Sequence, residues 1–117
     1  MLNQQTALDL TFQALADPSR RAMIERLSRG PSSVSDLAKP LSISLPAALQ
    51  HLALLEGCGL VASEKVGRVR TCRIQPKALT PVESWLRTQR AEWMARLDRL
   101  DDYLNALQSQ GGDHEPD

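Results

Sequence analysis

Residues 33–56 read SVSDLAKPLSISLPAALQHLALLE, and two helix-start signals sit inside that run. Ser33 stands three residues before Asp36, the spacing at which a hydroxyl caps a helix and a carboxylate answers it. Ser44 repeats the signal, with Pro46 in the first turn, where a missing backbone N–H costs little. The first helix is expected to run through Leu37 towards Leu41. The second is expected from Ser44 to about Glu56, placing Leu45, Leu49, Leu52 and Leu55 towards a core. Only Ser42-Ile43 separates them, and so short a connection sets a sharp angle between helices. Gly57 and Gly59 are both available to close the second helix.

Upstream, Leu8, Phe12 and Leu15 recur at helical spacing. Asp17-Pro18 then reads as an N-cap followed by proline at the first helical position. The helix it opens carries Met23, Ile24 and Leu27 inward and ends near Gly30-Pro31. Downstream the period changes. Val61–Val66 and Val69–Gln75 are two extended runs around Gly67-Arg68, and Gly67 permits a tight turn with positive φ. Short helices in succession followed by a basic hairpin are the parts of a winged helix-turn-helix, a mainly α fold with a small β-hairpin. Beyond Leu79 a single long helix is expected. Leu86, Arg90, Trp93, Leu97, Leu100, Leu104 and Leu107 alternate four and three apart, an a/d stripe with one polar interruption at Arg90. Residues 1–110 are expected to form one domain, and 111–117 a flexible acidic tail without apolar anchors.

The chain has 117 residues, 42% of them apolar, and no net charge. That is enough for one hydrophobic core. Aromatics are confined to Phe12, Trp85, Trp93 and Tyr103, so Leu, Ile, Val, Ala and Met must fill it. No run is apolar enough for a membrane helix, and the first residues lack the basic flank and apolar core of a signal peptide. A cytoplasmic protein is expected. Charge is unevenly placed. Lys65, Arg68, Arg70, Arg73 and Lys77 gather against Glu64 alone, whereas the stretch from Glu92 onward is predominantly acidic. One end of the molecule can meet a polyanion and the other is repelled by it.

An α-helix fits the DNA major groove, and its N-terminal residues reach base edges. Residues 33–41 are expected to support and residues 44–56 to read. The polar groups placed for reading are Ser42 and Ser44 at the entrance, then Gln50 and His51. Gln50 can pair bidentately with adenine, and His51 can donate to a phosphate or base edge, although solvation or a local backbone bond would serve either as well. Leu45 and Leu49 are not both required by a single core stripe. Core packing is the favoured expectation for them, contact with a thymine methyl the alternative. On the hairpin, Arg68 projects from the tip and Arg70 from just beyond it, towards phosphates or the minor groove, with Lys65 and Arg73 extending the basic surface.

The a/d stripe exceeds the needs of so small a monomer. A homodimer is expected, with Leu8, Phe12, Leu86, Trp93, Leu97, Leu100 and Leu104 at its interface, presenting two reading heads to a palindromic site. Cys58 and Cys72 fall on separate elements, with Cys72 opposite about Glu64. Their separation along the hairpin of more than about 10 Å leaves no intrachain disulfide.

These residues together resemble the ArsR/SmtB family of bacterial repressors. The matching text is Phe12-Gln-Ala-Leu-Ala-Asp-Pro-Ser-Arg-Arg21 with Ile24 to Leu27, then Ser33-Val-Ser-Asp-Leu-Ala38. It continues as Ser44-Leu-Pro-Ala-Ala-Leu-Gln-His-Leu52, Leu55-Glu56, Gly59-Leu-Val61 and Gly67-Arg68, so the resemblance covers roughly residues 6–107. It implies a dimer built from the first and last helices and operator binding that occludes a promoter. It also implies Ser44, Ala47, Gln50 and His51 on the reading helix and Arg68 on the wing. Leu49 and Gln50 stand where the family commonly has a small polar residue and a lysine. Metal sensors of the family carry a Cys-x-Cys-type pair where this chain has Pro31-Ser-Ser-Val-Ser-Asp36, and the last helix offers no histidine before His114. Zinc and arsenite favour Cys and His ligands, so the resemblance is to the branch that does not sense metals. No cofactor is implied, and the effector is not identified.

Two other classes compete. No catalytic triad, phosphate loop or carboxylate pair is evident, which speaks against an enzyme. A winged-helix interaction module that has lost DNA binding accommodates the zero net charge and Leu49, but has no evident need for the basic wing tip.

Overall fold

The computed structural model describes residues 4–113. The elements run α1 (Gln4–Leu15), α2 (Pro18–Leu27), β1 (Ser32–Ser33), α3 (Val34–Ala38), α4 (Leu45–Gly57), β2 (Val61–Val66), β3 (Val69–Ile74) and α5 (Thr80–Asp113), with single 3₁₀ turns at Lys39–Leu41 and Pro76–Leu79. This is the mainly helical fold with a small antiparallel hairpin and a long C-terminal helix that the sequence predicts. Met1–Val82 and Glu83–Asp117 are two compact units. Residues 114–117 of the expected acidic tail lie outside the described residues.

The corner between α1 and α2 is tied by the sequence Asp17-Pro-Ser-Arg-Arg21. Asp17 caps α2 by accepting from the Arg20 backbone N–H at 3.0 Å. The Arg20 side chain turns back on α1, donating through Nε to the Ala14 carbonyl at 2.7 Å and through Nη2 to that of Gln13 at 2.9 Å. Arg21 donates to the Leu15 carbonyl at 2.7 Å. Carbonyls that the end of a helix leaves without partners are thereby satisfied, by cations suited to the negative end of its dipole.

Ser33 and Ser44 cap α3 and α4, accepting from Asp36 N and Ala47 N. α3 is shorter than expected. Pro40 cannot continue an α-helical ladder, and the chain tightens into the 3₁₀ turn before Ser42. Ser42 takes φ 53°, a left-handed conformation uncommon outside glycine, and this reversal directs the chain into α4. Of the two glycines available, Gly59 closes α4. With Gly59 at φ +84°, Leu60 N donates to Leu55 O and Gly59 N to Glu56 O, each at 3.0 Å. That is the Schellman pattern, and its paired apolar residues Leu55 and Leu60 are both fully buried.

Met23, Leu27, Leu37, Ala48, Leu52, Leu55, Leu60 and Cys72 form the centre of the core. α4 packs against α1, α2, α3 and β2. Its buried stripe is Ala48, Leu52 and Leu55, which corrects the expectation for Leu45 and Leu49: they remain 48% and 39% exposed. Among the described residues, the elements packed on α4 cover that stripe fully and its first-turn face only in part.

The sheet has the order β1-β3-β2, all antiparallel. β1 is not evident in the sequence, being only Ser32 and Ser33 opposite Cys72 and Thr71. The turn closes Val66 onto Val69, so Cys72 faces Ser63 rather than Glu64. Gly67, first of the two turn residues, has φ +65°, the positive value that a II′ hairpin turn requires there.

Taken by itself, α5 has 34 residues, about 50 Å of helix at 1.5 Å per residue. Leu86, Trp93, Leu97, Leu100, Leu104 and Leu107 are all exposed along it, as are Met94 and Tyr103.

Candidate nucleic-acid interface

The turn at Ser42 and the cap at Ser44 deliver the start of α4 to the surface. Ser42, Ser44, Leu45, Leu49 and Gln50 are exposed there, and Ala47 and His51 are half-buried. The wing stands alongside. Leu45 and Leu49 line a cleft of about 440 Å³ together with Ser33, Val34, Lys65, Arg68, Val69 and Arg70. The expected reading helix and the expected wing cations thus border one concavity, apolar on its helical wall and cationic on its wing wall.

The cations are not equivalent. Arg68 and Lys65 are exposed and form no ion pair among the described residues. Arg70 is engaged. Its Nη2 contacts both Glu56 carboxylate oxygens, at 3.0 and 3.1 Å, and its Nε donates to Ser63 Oγ at 2.8 Å. Ser63 in turn donates to Glu56 at 2.6 Å. Glu56 lies in the last turn of α4, Ser63 on β2 and Arg70 on β3, so this triangle fastens the wing to α4. Arg73 lies 3.8 Å from Glu64. Sequence reading missed Glu56 and Ser63, which carry no local signal beyond the register that makes Ser63 and Arg70 near neighbours across the hairpin.

His51 is also held. The Arg20 guanidinium donates to His51 Nδ1 at 3.2 Å. Because guanidinium only donates, Nδ1 is the acceptor in this contact. Asp17 Oδ2 lies 3.9 Å from the same nitrogen. The Arg20 backbone N–H holds the Asp17 carboxyl below its ordinary value, aided by the Arg20 charge and by His51. The corner that caps α1 and α2 therefore also grips the middle of α4.

Cys72 is buried in the central strand, and burial, reinforced by the Glu56 charge, pushes its thiol pKa up. Cys58 is the C-cap residue that follows α4, and it donates to the Leu55 carbonyl. Both are free thiols. Among the described residues, no three His, Cys, Asp or Glu side chains gather as metal ligands would. No helix among those residues is long and apolar enough to cross a membrane.

A helix pair joined by a left-handed turn, followed by a hairpin fastened to its second helix, defines a winged helix-turn-helix. The chain matches the helix-turn-helix domain family over residues 15–64. It is 38% identical to the HTH-type transcriptional regulator Rv2034 of Mycobacterium tuberculosis, over 90% of this chain and 92% of that protein. Among solved structures it is similar to the ArsR family transcriptional regulator RHA00566, with 48% identity and TM-score 0.75 over 80% of this chain and 97% of that one. An ArsR-like transcriptional regulator from Rhodococcus sp. RHA1 has 34% identity and TM-score 0.74, covering 87% and 96% of the two chains. The chain belongs to the ArsR/SmtB family of winged helix-turn-helix, DNA-binding transcriptional regulators. These relatives are regulators and not enzymes.

Proposed function

We propose that this chain is a cytoplasmic, homodimeric repressor that binds a palindromic operator in double-stranded DNA and occludes a promoter. One observation carries the reading: the exposed start of α4 and the wing cations Lys65 and Arg68, which form no ion pair among the described residues, border a single cleft. Ser42, Ser44, Leu45, Ala47, Gln50 and His51 then meet the major groove, and Lys65, Arg68 and Arg70 the flanking backbone or minor groove. Dimerisation uses the apolar faces of α1, at Leu8 and Phe12, and of α5, at Leu86, Trp93, Leu97, Leu100 and Leu104. Residues 1–110 are the working domain, and 111–117 are dispensable for binding.

The signal that releases the operator is not a metal. Pro31–Asp36 offers hydroxyls and one carboxylate where metal sensors of the family supply thiolates, a poor set for borderline and soft ions. Neither zinc nor arsenite is expected to change operator affinity.

Selection of bound duplexes from fragments of the source genome tests the function. An imperfect palindrome with half-sites about one or two helical turns apart is the expected product. Recovery of no enriched sequence would leave the winged-helix interaction module as the better reading.

A further inference from the structure

Leu45 and Leu49 are large apolar side chains that the core does not use. They lie one helical turn apart on α4, at the uncovered edge of the face that buries Ala48, Leu52 and Leu55, and both line the cleft that Lys65, Arg68 and Arg70 border. Solvating two leucines there is unfavourable, and the occupant that covers them must also satisfy the neighbouring cations. A polyanion that carries apolar groups does both. Building on the DNA-binding reading above, we infer that Leu45 and Leu49 read thymine C5-methyl groups in the major groove, making α4 a sensor of methyl-bearing base edges.

The chemistry selects this feature over other base edges. Leucine neither donates nor accepts, and thymine carries the only alkyl group that the four unmodified bases present in the major groove. Set against cytosine N4 or adenine N6, the same side chain would remove water from a donor and return no hydrogen bond. Residues at i and i+4 have Cβ atoms about 5–6 Å apart, and B-DNA rises about 3.4 Å per base along each strand. The two leucines therefore address thymines one or two base steps apart. Gln50, exposed and next in sequence to Leu49, complements adenine on the same helix. The half-site is accordingly expected to be A·T-rich where α4 enters.

Thymine and uracil differ only by the methyl group, so the test can be made on the DNA while the protein stays wild type. A duplex is first selected with the full chain from a random 30-base-pair library, and each thymine of the winner is then replaced singly by deoxyuridine. At one or two positions per half-site the loss should be about fourfold in Kd, the equivalent of one buried methyl-sized group. Leu49→Ala and Leu45→Ala should each bind more weakly and lose the uracil penalty at one of those positions only. Uracil substitution that leaves Kd within twofold at every position would overturn the inference while leaving DNA binding intact. A penalty that persists unchanged in both leucine variants would also overturn it, by assigning the methyl contact to other residues. Failure to select any duplex would overturn the DNA-binding reading along with it.

Discussion

Arg68 and Arg70 are two residues apart on the wing, yet their electrostatic positions differ. Arg68 meets no carboxylate among the described residues, whereas Arg70 is neutralised bidentately by Glu56. Each phosphate contact made by a free cation releases counterions and steepens the salt dependence of DNA binding. Arg68→Ala should therefore lower the slope of log affinity against log salt by about one unit. Arg70→Ala should lower it by clearly less, and should act on the fit of the wing instead. Fluorescence anisotropy on one duplex across about 50–200 mM salt measures both. Equal losses of slope would mean that Arg70 leaves Glu56 when DNA binds. Both arginines are legible in the sequence as basic wing residues. Glu56, a single acid at the end of an apolar helix, gives no hint of which of them it holds.

At the scale of elements, α4 has one broad apolar face whose two edges do different work. Leu55 is fully buried and Leu49 is 39% exposed. Leu55→Ala should destabilise the fold by about 2–5 kcal/mol through lost burial and a cavity. Leu49→Ala should cost clearly less, about 1 kcal/mol of stability, since its side chain is only partly withdrawn from water. Urea denaturation of the two variants separates these roles. The α2 cap makes a prediction in pH. Because folding lowers the Asp17 pKa below the ordinary 3.8, its contribution is fully present above that value. The contribution is lost as pH falls through the lower folded value. Asp17→Asn keeps a capping oxygen but cannot titrate, so its urea midpoint should fall less steeply with acid than that of the wild type. Parallel acid limbs would mean that the carboxylate charge contributes nothing at this corner.

For the molecule as a whole, the stripe on α5 carries the proposed assembly. Leu86, Trp93, Leu97, Leu100 and Leu104 are all exposed in the single chain, a large apolar surface for a monomer to leave in water. Wild-type protein should scatter light with a mass near twice the 12.9 kDa of one chain. Trp93→Asp or Leu97→Asp should shift it towards the monomer by placing an unpaired charge in the interface. A wild-type mass of one chain at tens of micromolar, about the range of such measurements, would end the dimer proposal and with it the expectation of a palindromic operator. Operator affinity of the Asp variants should fall with their dimer fraction, because each half-site contact then acts alone.

The caps at Asp17, Ser33 and Ser44, the Gly67 turn and the spacing of the α5 stripe were determined by the sequence on its own. Each depends on groups within about one or two turns of each other along the chain, so spacing and residue type suffice. Tertiary structure alone decided the rest. Whether Leu45 and Leu49 enter the core depends on which elements reach that side of α4, and periodicity cannot say which part of a broad apolar face is covered. Arg20 reaches His51 across 31 residues and Arg70 reaches Glu56 across 14, separations at which only the folded packing brings partners together. The brief pairing of Ser32 and Ser33 with β3 has the same origin, since two serines have no strand preference strong enough to announce an element. The fold was therefore legible from local hydrogen bonds and apolar rhythm. Which cation stays free, and which leucines face outward, were set by contacts between elements distant in the chain.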